Sequence, residues 1–192
     1  MKRGLILLLL LSGCTFSSED AQPLLGDVHE HADFKVYLNG EAYDFAEDKY
    51  MSTEEAPLNP FTHVHDGEGE VIHKHMSGVT LGSFFESLGM EFTADCFMLD
   101  SGESYCTDST HTLQFFVNGA ENAEFADYEF HDADRLLITY GAPTPEQLQS
   151  ELDSVSDRAC IFSETCPERG SPPDESSCTG SGTDCIAPVQ HD

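Results

Sequence analysis

The chain has 192 residues, of which 39% are hydrophobic, and this is enough for one modest domain with appendages. Its 36 acidic residues outnumber 8 basic ones, which gives a formal net charge of −28 with His neutral. A chain this acidic repels nucleic acid and anionic lipid surfaces, so a nucleic-acid-binding function is excluded. Because an acidic excess is usually a solvated surface, the charge alone identifies no ligand.

The N-terminus has the pattern of a lipoprotein signal peptide. Lys2 and Arg3 precede an apolar run over residues 5–11, which is too short to span a bilayer as a mature helix. The run ends in Leu-Ser-Gly-Cys, so we predict a signal peptide over residues 1–13 and a lipid on Cys14. The lipid would anchor the chain at the extracytoplasmic face of the cell envelope. An ordinary secretory peptide with a chance cysteine is the alternative.

The first predicted hairpin follows a tether. Residues 14–28 are polar and interrupted by Pro and Gly, as a tether would be. Residues 33–38 alternate polar and apolar side chains, which is typical of a half-buried strand. Asn39-Gly40 is a strong hairpin turn, and residues 41–45 return as the second strand.

Histidines form the clearest functional pattern. Six of the nine fall in three His-x-His pairs: His29 with His31, His63 with His65, and His73 with His75. Residues i and i+2 of a strand point to the same face, so each pair presents two imidazoles side by side. After an acidic connector over residues 46–60, the second and third pairs flank a Gly-rich acidic turn. If His63 lies opposite His73 in this hairpin, all four imidazoles share one face, whereas a one-residue slip would separate them.

The second half of the domain alternates short elements. A compact helix is predicted over residues 80–89, with Thr80 as its N-cap and Gly89 at its left-handed end. The predicted elements that follow are a disulfide-closed hairpin between Cys96 and Cys106, a strand over residues 112–117, a turn-like helix over residues 125–130 and a strand over residues 135–140.

This order of elements predicts an α+β fold and resembles the β-grasp plan of ubiquitin-like proteins. The predicted domain spans residues 29–142. It has a mixed sheet, one main helix and the His-rich hairpin as an insertion between the second strand and the helix. A resemblance of this kind supports the fold and not an activity.

Residues 143–192 are predicted to form a short helix and a disulfide-stapled tail. Thr144, Pro145 and Gln147 form a helix start that combines an N-cap, a proline at the first position and a capping box. The tail is rich in Ser, Gly, Pro and Cys, and we expect it to bury no core of its own. With Cys14 lipidated, an even set of cysteines remains for disulfides in an oxidising compartment: Cys96, Cys106, Cys160, Cys166, Cys178 and Cys185. No Cys-x-x-Cys motif is present, which favours structural disulfides over redox chemistry.

Imidazole ligands suit transition metals, and the three pairs together predict a site for Zn²⁺ or, as second choice, Cu²⁺. Acidic neighbours could complete the site or hold the rings: Glu30, Asp33, Asp66, Glu68 and Glu70. The acidic turn over residues 66–70 lacks the ligand pattern of a calcium loop. His111, His131 and His191 are isolated, and we interpret them as surface or structural residues.

The string His-x-His-Asp-x-x-Gly-x-x-Ile-His from His63 to His73, followed by Thr-Leu-Gly-x-Phe-Phe from Thr80, resembles a family of exported prokaryotic proteins of unassigned function. The segments around Cys160 and Cys166 resemble the tail of its closer relatives. The resemblance implies a shared fold and a shared histidine constellation, and no known reaction.

Three hypotheses follow from the sequence. The first is a lipid-anchored module that binds Zn or Cu outside the cytoplasm. The second is a hydrolytic or oxygen-using metalloenzyme, with a carboxylate such as Glu70 as its base, and nothing in the sequence supplies a nucleophile or substrate pocket for it. The third is a structural or partner-binding module whose histidines pack or sense pH.

Overall fold

A computed structural model describes residues 26, 28–53, 56 and 58–172. The strands are β1 (Glu30–Leu38), β2 (Glu41–Ala42), β3 (Thr62–His63), β4 (Val71–Lys74), β5 (Glu91–Phe92), β6 (Cys96–Met98), β7 (Ser104–Cys106), β8 (Thr112–Val117), β9 (Ala120–Glu121) and β10 (Arg135–Gly141). The helices are α1 (Leu81–Ser87), α2 (Pro145–Ser154) and α3 (Ala159–Phe162), and 3₁₀ turns span Asp48–Tyr50, Phe125–Asp127 and Pro167–Arg169.

The fold is mixed α+β, as predicted, and its main sheet is organised around β1. This seven-stranded sheet has the order β3-β4-β1-β10-β8-β9, with β2 also paired to β1. β10 is parallel to β1, while β4 and β2 pair antiparallel with the N-terminal and C-terminal parts of its other edge. The β1–β2 turn places Asn39 and Gly40 at φ 55° and 83°, as a two-residue hairpin of this twist requires. β5, β6 and β7 form a separate three-stranded sheet.

Alternate residues of β1 face two different layers. One face joins the main core through Ala32, Phe34, Val36 and Leu38. On this side the Phe34 ring lies 5.4 Å from Phe84 of α1. The side chain of Thr80, the predicted N-cap of α1, accepts a hydrogen bond from the Ser83 backbone N–H. The helix buries Leu81, Phe84 and Phe85. The main core therefore lies between the sheet and α1.

The other face of β1 carries His31, Asp33, Lys35 and Tyr37, and the C-terminal helices lie on this side. α2 has the predicted capping box between Thr144 and Gln147. It packs through Leu148 and Leu152 in a second small cluster with Leu137 of β10. The histidines of β1 are thus placed on the face that the C-terminal segment reaches.

Asp33 fixes the start of α3 against the sheet. Its buried carboxylate accepts hydrogen bonds from the Ser156 hydroxyl and from the backbone N–H groups of Arg158 and Ala159, at 2.8 and 2.9 Å for the last two. Arg135 of β10 donates to the Ser156 carbonyl at 2.9 Å. The segment after α2 is therefore held by two side chains of the central strands.

We expect Asp33→Ala to destabilise the fold by about 3 kcal/mol, because the buried backbone N–H of Ala159 and the partly buried one of Arg158 would lose their acceptor. Asp33→Asn keeps one acceptor oxygen and should cost less. Urea denaturation measures both, and Asp95→Ala, at an exposed carboxylate, is the matched control with a change within about 0.5 kcal/mol. Equal urea midpoints for Asp33→Ala and Asp95→Ala would contradict this role.

One expectation is corrected. The second strand was predicted over residues 41–45, but only Glu41 and Ala42 are in strand conformation, since the chain then leaves the edge of β1 toward the turn at Asp48–Tyr50. The start of the tail packs against the domain, where Phe162 is 6% exposed, and Ala159 just before the tail is 0% exposed. Their burial follows from the anchoring of α3 by Asp33. The β-grasp assignment and the domain boundaries stay predictions.

Two of the disulfides are observed, Cys96–Cys106 and Cys160–Cys166. The first closes the hairpin of β6 and β7, as predicted, and the second is a pairing within the tail. The remaining predicted cysteines, Cys14, Cys178 and Cys185, lie outside the described residues. The signal peptide and His191 also lie outside them. Among the described residues, no helix is long and apolar enough to cross a membrane.

Candidate metal centre

Three strands bring the histidine pairs together. His73 of β4 lies directly opposite His63 of β3 on one side and His31 of β1 on the other, in antiparallel register. The condition under which the four hairpin imidazoles share one face, His63 opposite His73, is therefore met. His29 and His75 extend this row at the next same-face positions, with ring centroids 4.9 Å apart. One histidine of each pair lies in a strand, and the ring distances of His29 to His31 (4.7 Å), His65 to His63 (5.5 Å) and His75 to His63 (5.0 Å) place the other members on the same side of the sheet.

His73 is the centre of the cluster. The ring centroids of His65, His31 and His63 lie 4.0, 4.4 and 5.9 Å from its own. Those of His75 and His29 lie 6.4 and 6.5 Å away. The sequence predicted one site from all three pairs, and the structure brings the six imidazoles together.

The cluster is closed by the C-terminal segment. The Phe162 ring of α3 lies 5.8 Å from the His31 ring and 5.6 Å from the His73 ring. The Cys160–Cys166 disulfide closes the short loop that carries this ring. Five of the histidines are at most 1% exposed, and His29 alone among the six is exposed. The site is therefore a buried one with a single histidine at its rim.

Hydrogen bonds on the outer side of the cluster fix which nitrogen carries the proton. The Asn59 carbonyl accepts from His63 Nδ1 at 2.8 Å, and the Asp66 carboxylate accepts from His65 Nδ1 at 2.7 Å. Neither oxygen can donate, so both imidazoles carry their proton on Nδ1.

His31 is fixed in the same way through a serine. The hydroxyl of Ser163 donates to the Asp132 carboxylate, and its oxygen lies 2.7 Å from His31 Nδ1. Because the hydroxyl proton is already used, the oxygen accepts from His31 Nδ1. The lone pair of His31 is therefore on Nε2.

Two ring nitrogens on the inner side are buried without a partner. Nε2 of His31 and Nε2 of His73 have no hydrogen bond to any atom of the described residues. A buried polar atom left unsatisfied costs about 1–3 kcal/mol, and native proteins have few of them. Two such atoms in neighbouring rings are a feature to be explained by a ligand.

Burial lowers the pKa of each ring in the cluster. For His63 and His75, desolvation is the main cause and neighbouring imidazoles add to it, so that the pKa falls to about 4 and about 3. The pKa of His31 falls to about 2 for the same reasons, and that of His73 lies well below 6.5. Asp66 opposes desolvation at His65, whose pKa is still lowered. At neutral pH the rings are neutral, which is the form in which histidine binds metal.

One nitrogen from each of His29, His73 and His75 lies within 4.8 Å of the other two, and this group could hold a metal ion. In a tetrahedral zinc site, Zn–N bonds of about 2.0–2.1 Å place the nitrogens about 3.3 Å apart. Small rotations of the imidazole rings would bring the three nitrogens from within 4.8 Å of one another to this separation.

The acidic residues predicted around the site have mostly other partners. Asp33 holds α3, and Glu30 forms an ion pair of 2.7 Å with the buried Lys74 on the opposite face. Glu68 pairs with Arg158 at 2.5 Å, and Glu70, the predicted base, pairs with Lys35 at 2.8 Å. Only Asp66 of this set is hydrogen-bonded to a ring of the cluster among the bonds of the described residues.

Sequence reasoning missed four residues that surround the cluster: Asn59, Asp132, Phe162 and Ser163. The last three are 57 or more positions from the nearest His-x-His pair, and no local pattern marks them. The isolated histidines are elsewhere. His111 stacks on Tyr140 with 5.6 Å between the centroids, and His131 is exposed.

The described residues thus define a small, disulfide-bonded α+β protein with a buried polyhistidine site. Comparisons of the chain with protein families, with curated proteins and with solved structures find no match. The functional argument therefore rests on the geometry of the cluster.

Proposed function

We propose that the protein is a lipid-anchored extracytoplasmic module that binds Zn²⁺ or Cu²⁺ in its histidine cluster. The observation that carries this proposal is the convergence of one nitrogen each from His29, His73 and His75 within 4.8 Å. The buried Nε2 atoms of His31 and His73, which have no partner in the described part of the chain, support it. A metal ion would accept lone pairs that the fold otherwise leaves unused. Neutral imidazole nitrogens are ligands that both ions prefer.

The closed geometry favours binding over catalysis. Five of the six rings are at most 1% exposed, so a substrate has little access to an ion held among them. Catalytic zinc sites keep an open coordination position for water or substrate. Glu70, the base in the metalloenzyme hypothesis, is instead paired with Lys35.

The metal proposal is tested on untagged protein by elemental analysis after purification and by titration with Zn²⁺ and Cu²⁺. We expect at least one ion per chain, and negligible metal in the variant with alanine at His63, His65, His73 and His75. A variant with alanine at His111 and His131, both outside the cluster, is the control and should keep the metal. Circular dichroism establishes that each variant is folded. Negligible metal in all three proteins would refute the proposal.

Membrane attachment is proposed from the N-terminal pattern of Lys2, Arg3 and the apolar run before Cys14. The observed disulfides fit an oxidising compartment. We expect the wild-type chain to fractionate with membranes and Cys14→Ser to be released into the soluble fraction. Mass spectrometry of the mature N-terminus should find a lipid on Cys14. An unmodified cysteine, or a Cys14→Ser chain that stays in the membrane fraction, would contradict lipid anchoring.

A further inference from the structure

Protein atoms contact both ring nitrogens of His65. Nδ1 lies 2.7 Å from Oδ2 of Asp66, and Nε2 lies 3.3 Å from Nδ1 of His73. A metal ligand needs one nitrogen free of other partners. His65 is also absent from the group of histidines whose nitrogens converge within 4.8 Å.

The direction of these two hydrogen bonds follows from the carboxylate. Asp66 can only accept, so Nδ1 of His65 donates to it and Nε2 of His65 is left as an acceptor. Nδ1 of His73 must then donate to His65. The reverse arrangement would put a lone pair of His65 Nδ1 against the Asp66 carboxylate at 2.7 Å.

These hydrogen bonds determine which ring nitrogen of His73 carries the proton. With its proton held on Nδ1, its lone pair is on Nε2, and this is the nitrogen that is buried without a hydrogen-bond partner among the described residues. The chain of hydrogen bonds from Asp66 through His65 to His73 therefore points a base into the cluster.

The turn of the hairpin holds Asp66 in place for this contact. Asp66 and Gly67 adopt φ angles of 56° and 74°, and the Glu68 backbone N–H donates to the His65 carbonyl at 3.0 Å. Positive φ is uncommon for residues other than glycine, although aspartate and asparagine tolerate it better than most. The backbone thus folds back so that the carboxylate reaches the ring of the preceding residue.

We infer that His65 is not a metal ligand but a positioning residue, which together with Asp66 orients His73 and makes its Nε2 a stronger ligand. This inference rests on the proposed metal binding and changes the ligand set expected from the sequence, where His65 was one of six equivalent candidates. Carboxylate–histidine pairs of this kind fix the tautomer of a ligand and raise its basicity.

The variants His65→Gln and His65→Leu separate the two roles. The amide oxygen of Gln can replace Nε2 as the acceptor for His73, whereas Leu cannot. Zn²⁺ affinity is measured by competition with a chromophoric chelator, and Co²⁺ absorption reports the ligand set. We expect His65→Leu to lose about 10–100-fold in affinity and His65→Gln to recover most of that loss, as for other residues that support a ligand. The Co²⁺ bands should stay in place in both.

His29→Ala, which removes a ligand, is the reference, and His131→Gln is the control outside the cluster. His29→Ala should shift the Co²⁺ bands. If His65→Gln shifts them as well and binds as weakly as His65→Leu, His65 is a ligand and the inference is wrong.

A metal-independent measurement separates failure of this inference from failure of the proposed function. Long-range ¹H–¹⁵N spectra of the metal-free protein at pH 8 should find His73 protonated on Nδ1, and a mixture of tautomers in His65→Leu. Protonation of His73 on Nε2 would overturn the relay even if the protein binds zinc. A wild-type chain that has the expected tautomer but binds no metal would refute the proposed function and, with it, the positioning role.

Discussion

Metal-free protein should lose most of its stability between pH 6.5 and about pH 5, because its buried histidines must stay neutral in the folded state. Desolvation and neighbouring imidazoles hold the pKa values of His31, His63 and His75 at about 2, 4 and 3 in the folded chain. In the unfolded chain each imidazole takes up a proton near pH 6.5. The unfolded state therefore binds more protons in this range, and the stability falls as the pH decreases.

The size of the effect follows from the number of buried rings. Each contributes about 1.4 kcal/mol per pH unit below 6.5 until its folded pKa is reached. His73, whose pKa is also far below 6.5, is the fourth fully buried ring of this kind. Together they imply a slope of about 5 kcal/mol per pH unit, against a total stability of about 5–15 kcal/mol for a typical domain.

Urea denaturation in the presence of EDTA, from pH 8 to pH 5, measures this slope. His131→Ala, which changes an exposed side chain outside the cluster, is the control variant. Saturating Zn²⁺ should add about 4 kcal/mol at a free concentration 1,000 times its dissociation constant, and this increment should vanish in acid as protons displace the metal. Stability that is constant from pH 8 to pH 5.5 would show that the rings are not desolvated as described.

The histidine hairpin could be predicted because its information is local. His63, His65, His73 and His75 are separated by even numbers of residues, and an acidic turn lies between the two pairs. The hairpin register that buries one face of the strands therefore places all four imidazoles on that face. The helix caps at Thr80 and Thr144 are local signals of the same kind, and both are observed.

The rest of the site depends on contacts between distant segments. The register of β1 with β4 places His31 opposite His73, but a strand pattern does not specify its sheet neighbours. Ser163 reaches His31 only because Asp33, on the same strand, anchors the start of α3. No local sequence pattern marks Ser163 or Asp33, so the packing of α3 over the histidine cluster could not be predicted from the sequence.

Replacement of the central histidine should separate metal binding from stability. We expect His73→Leu to lose more than about 1,000-fold in Zn²⁺ affinity. The variant lacks the Nε2 atom of His73 and the ring around which the other five imidazoles are arranged. Leu has a similar volume and removes the buried, unsatisfied Nε2 of His73, but it also removes the hydrogen bond between His73 Nδ1 and the buried Nε2 of His65. The stability of the metal-free variant at pH 7.5 should therefore stay within about 1 kcal/mol of the wild-type value, with an advantage near pH 5.5.

A metal site and a structural histidine predict opposite results for this variant. A fully buried ring that served only to pack or to hold the sheet would cost about 2–4 kcal/mol when replaced, and metal would be irrelevant. Functional sites, by contrast, often reduce stability, so their removal can stabilise the fold.

The neighbouring Ile72 offers a matched control, because it is equally buried but faces the α1 core on the other side of the sheet. Ile72→Ala should cost about 2–5 kcal/mol and leave the zinc affinity of the folded protein unchanged. Urea midpoints in EDTA and chelator competition measure the two quantities for each variant. A large loss of stability in metal-free His73→Leu at pH 7.5, comparable to that of Ile72→Ala, would assign the cluster to the structural hypothesis, because the rings would then stabilise the fold without an ion.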